Sequence, residues 1–366
     1  MGRGGAERQL SLLARALSAR GLHIVVAVFY AGGALERELH EGGVEVLDLK
    51  KSGRWSNVAI IRTLMSFVRE RRPRIFHSYM VTQNLMALTL RPWLARKGCA
   101  VVLGIRTALP NAWRYSKMVG LADFVQSVLL TRADLVISNS RAALLGLPGR
   151  ASGKAVAIPN GVECERYAYE ATKRRVTRNA WHLGADSVLI GVVGRLDPQK
   201  NHTLLIDAMK LAGDVLDQAN LIFVGDDDLG YGNAVRSYAA DAGMASRIVW
   251  VGAADDMSAV YSALDVLCLC SVTEGFPNVL AEAMCVGLPC VTTDVGDAAD
   301  LVGDRGWVVP PGDARALADA LIQSYHALPG WNREWPRARV VDQFSVDALA
   351  DRSLRALAPF LGKATS

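Results

Sequence analysis

Short runs of β-branched and aliphatic residues recur along the chain, and most are separated by stretches of helical period. That alternation is the mark of βαβ units, whose parallel sheets are covered by helices on both faces. In the first half the strand candidates are residues 23–30 (HIVVAVFY), 44–49 (VEVLDL), 74–78 (RIFHS), 100–105 (AVVLGI) and 135–140 (LVISNS). Residues 155–161 (AVAIPNG) end in a Pro-Asn-Gly turn, and a polar, Arg-rich stretch follows to about residue 180. A second series then begins with VLIGVVGRL, LIFVGD, IVWVG, DVLCLCS and PCVTTD. Two series imply two doubly wound parallel sheets, which suits a chain of 366 residues, longer than one hydrophobic core sustains. The expected division is a Rossmann-like domain over residues 1–160, a second over 161–343, and a terminal segment over 344–366. Its helix, residues 346–361, carries an apolar stripe that needs a surface, and the first domain would supply one.

The front of the chain departs from this pattern. Gly4 and Gly5 form a turn that opens a helix over Ala6–Arg20, yet only three residues precede it, whereas such a turn normally follows a strand. The slot is therefore expected to be lost, to lie upstream of a late start codon, or to be filled by another segment.

Hydrophobic residues make up 51% of the chain and charged residues 21%, which excludes bulk disorder. No window approaches the roughly 18 apolar residues of a spanning helix, and no signal-peptide pattern opens the chain. Residue 6 is Ala6 where a myristoylation site requires Ser or Thr. The expected location is the cytoplasm, with peripheral attachment to the inner face of the membrane. Six cysteines lack the paired spacing of a zinc site and read as reduced, buried thiols, with Cys268 and Cys270 on one face of a strand. Charge is divided unevenly: residues 1–160 hold 23 Lys and Arg against 9 Asp and Glu, and residues 161–366 hold 18 against 27. The basic half points to an anionic partner, a phosphorylated lipid or membrane surface, and Trp113, Tyr115 and Met118 interleaved with Arg114 and Lys117 suit such an interface. Nucleic acid is not an expected partner.

The strongest motif is Glu274-Gly275-Phe276-Pro277-Asn278-Val279-Leu280-Ala281-Glu282, which joins a strand end to a helix start. Pro277 fits the first helical position and Gly287 a C-terminal stop. Glu282 lies on an otherwise uncharged helix, where a carboxylate needs donors that ribose hydroxyls can supply. Glu274 sits at the carboxyl end of a strand, where open parallel sheets bind ligands, and would face the sugar. The amides of Gly275 to Asn278 would receive an anion. Arg195 and Lys200, in the loop Gly194-Arg195-Leu196-Asp197-Pro198-Gln199-Lys200-Asn201, can converge on a diphosphate. The run Asp226-Asp227-Asp228 reads as turn and cap residues rather than a metal site. His77 and Arg106 end neighbouring strands and are candidates to face a cleft.

In this order, Gly-Gly-Ala-Glu at 4–7, Ile-Pro-Asn-Gly-Val at 158–162, the loop at 194–201 and the acidic motif at 274–282 resemble glycosyltransferase family 4. The resemblance implies a GT-B fold, two Rossmann-like domains facing across a cleft, and a retaining, metal-independent transfer from a nucleotide-diphosphate sugar without further cofactor. It assigns Glu274, Arg195 and Lys200 to the catalytic centre. Glu282, Gly275, Phe276, Pro277, Asn278 and Asn160 are expected at the donor, and Gly4, Gly5, His77 and Arg106 at the acceptor or transferred sugar. Many relatives have histidine where Arg106 stands. A uridine-diphosphate hexose or N-acetylhexosamine is the expected donor, and a lipid-linked saccharide the expected acceptor. A GT-B epimerase and a silent nucleotide-sugar-binding scaffold are the rival readings.

Overall fold

A computed structural model describes residues 4–33, 35–51, 53, 57–106, 117–147, 153–184, 187–228 and 230–362. The segment 113–116 and the side chains of Lys117 and Met118, expected at an interface, lie outside the described residues. The chain divides into two compact units, residues 1–161 with 346–366, and residues 162–345.

The first unit runs α1 (Gly5–Ser18), β1 (Val25–Val28), α2 (Glu36–Glu41), β2 (Glu45–Asp48), α3 (Asn57–Arg71), β3 (Ile75–Tyr79), α4 (Val81–Arg96), β4 (Ala100–Ile105), α5 (Lys117–Leu129), β5 (Leu135–Ser138), α6 (Arg141–Leu145) and β6 (Ala155–Ala157). All its strand pairs are parallel. β3 to β6 form one sheet in sequence order, and β1 with β2 form a separate one. Among the described residues no strand joins β1 to β3. Helix packing holds the two sheets together instead. Leu13, Ala16 and Leu17 of α1 pack with Val102 and Ile137, while Ala14 and Leu10 of the same helix pack with Val26 and Val28. On the opposite face, Ile60, Leu64 and Val68 of α3 share a core with Leu47, Phe76 and Val101.

The second unit runs α7 (Ala171–Ala180), β7 (Val188–Val193), α8 (His202–Ala212), β8 (Ala219–Val224), α9 (Gly232–Asp241), β9 (Ile248–Gly252), α10 (Met257–Ala263), β10 (Val266–Leu269), α11 (Asn278–Cys285), β11 (Cys290–Thr293), α12 (Ala298–Val302), β12 (Trp307–Val309), α13 (Ala314–Ala327) and α14 (Glu334–Phe344). Its sheet is wholly parallel in the order β12-β11-β10-β7-β8-β9, a doubly wound layer with apolar cores on both faces. β12 is a strand that the sequence pattern did not single out.

The last helix, α15 (Val346–Leu361), belongs to the first unit. Leu349, Ala350 and Leu357 pack with Leu13 and Leu17 of α1. All six cysteines are free and buried. No helix among the described residues is long and apolar enough to cross a membrane.

Candidate functional site

In the second unit β7 and β10 are neighbours although three strands' worth of chain separates them. The strand order reverses there, and in open parallel sheets such a reversal opens a crevice beyond the carboxyl ends of the strands. Both principal motifs leave from that point, residues 194–201 after β7 and residues 270–282 after β10.

Hydrogen bonds stitch the two loops together. Asp197 caps the short helical turn Pro198–Lys200 by accepting from the Gln199 amide at 2.8 Å. The Gln199 side chain donates to the Thr273 carbonyl at 2.7 Å, and the Val272 amide donates to the Gln199 carbonyl at 2.9 Å. The Lys200 ammonium then reaches Glu274 Oε1 at 2.6 Å, and the Ser271 hydroxyl donates to the same oxygen at 2.7 Å. The sequence reading gave Lys200 and Glu274 to different ligand groups; the structure pairs them directly. Arg195 instead projects outward, with 64% of its side chain exposed and 3.8 Å from the Asp197 carboxylate.

Two glycines with positive φ make these loops possible. Gly296, at φ 58°, lies so close to the Glu274 and Gly275 carbonyls that a Cβ would overlap both, and the next amide, that of Asp297, donates to the Gly275 carbonyl at 3.0 Å. Gly225, at φ 151°, packs in the same manner against the Gly194 carbonyl. Gly296 and Asp297 went unnoticed in the sequence, where Val-Gly-Asp looks like an ordinary turn.

The helix start differs by one residue from expectation. Pro277 is the N-cap of α11, in extended conformation, and Asn278 is the first helical residue. This geometry leaves the early amides of α11 at the site, while Phe276 packs inward against Phe344, with ring centroids 5.6 Å apart. Gly287, at φ 86°, follows the helix end, as the pattern implied. Glu282, the one charged residue of α11, accepts at Oε2 from the hydroxyl of Tyr261 at 2.7 Å. Tyr261 is fully buried on α10 and meets Tyr167 edge-on at 5.9 Å. No motif flagged Tyr261 or Ser271; a hydroxyl beside an isolated carboxylate becomes visible only once the helices are placed.

The acidic run serves as turn and cap: Asp227 Oδ1 accepts from the Gly232 amide at 2.8 Å at the start of α9. His202, the first residue of α8, is wholly buried with both ring nitrogens unpartnered, and burial beside Lys200 lowers its pKa to about 4.

The candidates in the first unit gather differently. Arg106 follows β4 and is buried; it donates to the Tyr79 hydroxyl at 2.8 Å and to Asn160 Oδ1 at 3.3 Å, its guanidinium 4.4 Å from the Tyr79 ring centroid. Asn160, expected at the donor, is therefore joined to Arg106. His77 on β3 stacks at a tilt 4.7 Å from Tyr79. Its Nε2 is buried without a partner, and burial together with the Arg106 charge holds its pKa down at about 3. Gly4 caps α1 and takes a 3.3 Å contact from its amide to Glu7 Oε2; Gly4 and Gly5 are both exposed.

Known proteins share this architecture. Residues 4–161 match the family model of the glycosyl transferase 4-like domain, and residues 187–326 match that of glycosyl transferases group 1. The chain belongs to the group 1 glycosyltransferases of GT4 type, with the GT-B fold of two Rossmann-like domains. It is similar to the Escherichia coli UDP-Gal:α-D-GlcNAc-diphosphoundecaprenol α-1,3-galactosyltransferase, 29% identical over 170 residues, which cover 45% of this chain and 44% of that relative. The match thus spans less than half of that enzyme. The Rhizobium meliloti lipopolysaccharide core biosynthesis mannosyltransferase LpsB is 28% identical over 261 residues, 69% of each chain. Among solved structures, Anabaena HepE in complex with UDP superposes with a TM-score of 0.80 at 22% identity, covering 97% of this chain and 96% of that one.

Proposed function

We propose that this chain moves a hexose or N-acetylhexosamine from a uridine-diphosphate sugar to a hydroxyl of a lipid-linked saccharide, with retention at the anomeric carbon and without a metal. The observation that carries the reading is the joining of Lys200, Glu274 and Ser271 at the strand-order reversal between β7 and β10, with Glu282 on the helix that follows. The UDP bound by the Anabaena relative and the diphosphoundecaprenol acceptor named for the Escherichia coli relative support the substrate classes. A peripheral position on the cytoplasmic membrane face fits such an acceptor and the basic first half of the sequence.

In this reading Lys200 and the exposed Arg195 neutralise the diphosphate, and the early amides of α11 add donors to it. Glu282 takes the ribose hydroxyls while Tyr261 holds its other side. Glu274, with Oε1 already fixed by Lys200 and Ser271, offers Oε2 to the sugar. The bond from the anomeric carbon to the phosphate oxygen breaks as the bond to the acceptor oxygen forms on the same face. The acceptor's proton passes to the departing phosphate, so no protein carboxylate serves as base. In the first unit, the loop at Gly4 and Gly5 and the group of His77, Tyr79, Arg106 and Asn160 would orient acceptor and sugar.

A thermal-shift series with nucleotide diphosphates and their sugars tests the donor assignment. A ligand at a hundred times its dissociation constant stabilises by ~2.7 kcal/mol. UDP should stabilise the wild type, and Glu282→Ala and Arg195→Ala should each lose the effect. Equal stabilisation in all three proteins would remove the donor from this site. The anomeric configuration of the product, read by NMR, decides retention.

A further inference from the structure

Helix α5 is built inside out. Its inward residue Gln126 is 5% exposed and accepts at Oε1 from the Asn84 side-chain amide at 2.8 Å. Asn84 is itself fixed by the Ser78 hydroxyl at 2.7 Å and by its own donation to the Gly104 carbonyl at 3.0 Å. These buried bonds set the rotation of the helix, because turning Gln126 outward would strand polar atoms in the interior.

The opposite face carries Leu121, Phe124, Val125 and Val128, exposed at 55%, 57%, 37% and 55%. Their spacing of i, i+3, i+4 and i+7 puts all four within an arc of about 100° along about 10 Å of helix. A polar inner face and an apolar outer face reverse the usual order for a helix packed on a water-soluble protein.

We propose that this stripe seats the protein on an anionic lipid leaflet, inserting Phe124 and its three neighbours at the boundary between headgroups and acyl chains. Two observations favour lipid over a second copy of the chain. Four side chains expose only a few hundred Å², well under the ~800 Å² per partner that a stable dimer buries. The half of the sequence that contains the stripe is also strongly basic, with 23 Lys and Arg against 9 Asp and Glu over residues 1–160, and Arg132 stands exposed just beyond the helix. Weak apolar insertion and cationic attraction together give a firm but reversible attachment that neither supplies alone. The inference rests on the reading that the acceptor is lipid-linked, because such a substrate must be met at the membrane surface.

Sedimentation of the full chain with vesicles is the test, comparing phosphatidylcholine alone with phosphatidylcholine containing phosphatidylglycerol. The wild type should bind the anionic vesicles at low salt and release as salt rises. The triple variant Leu121→Ser, Phe124→Ser, Val128→Ser should bind at least tenfold more weakly, Phe124→Leu should bind like the wild type, and Val176→Ser, at an exposed apolar position in the second unit, should change nothing. Equal binding by wild type and triple variant, or no binding by the wild type, overturns the proposal. So does light scattering that finds a wild-type dimer and a monomeric triple variant. UDP-induced stabilisation, measured on the same samples, should be untouched by the triple variant. If vesicle binding depends on the stripe while no lipid-linked acceptor is ever glycosylated, the functional reading fails and the membrane seat stands.

Discussion

His202 lies directly beneath the loop that presents Lys200 to Glu274, and its burial without a hydrogen bond gives the second unit a defined response to acid. Its ring meets Phe223 edge-on at 5.0 Å and is fully enclosed. Burial, reinforced by the Lys200 charge and partly opposed by Asp197, lowers the pKa from 6.5 to about 4. A base whose folded pKa is depressed stays neutral in the native state while the unfolded chain takes up a proton. The associated stability is complete above the unfolded pKa of 6.5 and is lost as pH falls towards 4. Between pH 7.5 and 5.5 the loss from this one residue is about 1.4 kcal/mol, since each unit of separation is worth about 1.36 kcal/mol. Urea unfolding at the two pH values, with any separate transitions of the two units fitted independently, measures it. His202→Leu removes the titrating ring and both orphaned nitrogens, so its stability should change by at least 1 kcal/mol less over that interval. Parallel losses in wild type and variant would show that the buried imidazole is not the source, and the argument would fail.

Three further outcomes follow from contacts in and near the site. Tyr261→Phe removes the hydroxyl that donates to Glu282, and titration calorimetry should find UDP binding weakened by about 2- to 12-fold, the equivalent of 0.5–1.5 kcal/mol, with less effect than Glu282→Ala. Gly296→Ala forces a side chain at φ 58° against two carbonyls; it should displace Glu274 and lower kcat by at least tenfold, while a melting curve shows destabilisation of about 1–3 kcal/mol. Arg106→Lys cannot make both bonds to Tyr79 and Asn160 while stacking on the tyrosine ring, so thermal unfolding should reveal a less stable first unit, whereas UDP affinity, housed in the second unit, stays at the wild-type value.

Much of the fold was legible because parallel strands buried on both faces read as continuous apolar runs. Residues 100–105 and the helix 346–361 fall where the sequence places them. The short strand Trp307–Val309 escaped notice, since three residues at the sheet's end carry no period. The missing partner beside β1 was also legible, from three residues preceding a glycine turn that ordinarily follows a strand, and the sheet is indeed divided there among the described residues. At the site, charged residues inside apolar surroundings announced themselves, as Glu274, Glu282 and Lys200 did. Their partners did not, because Ser271 and Tyr261 are residue types found anywhere, and only the neighbouring placement of β7 and β10 or of α10 and α11 gives them meaning.

That difference explains why the ion pair between Lys200 and Glu274 was invisible in the sequence. Each residue alone suggests a ligand: a cation at a helix start suggests phosphate, and a carboxylate at a strand end suggests sugar hydroxyls. Together at 2.6 Å they neutralise one another, and with Ser271 on the same oxygen the carboxylate is held in one orientation. A site prepared in this manner pays little ordering entropy when its substrate arrives. The arriving diphosphate competes with Glu274 for the ammonium, so replacing Glu274 by Gln frees Lys200 for the phosphate even as it weakens the hold on the sugar. Binding of UDP and binding of the whole nucleotide sugar should therefore respond in opposite directions to that single change, which a loss of structure would not produce.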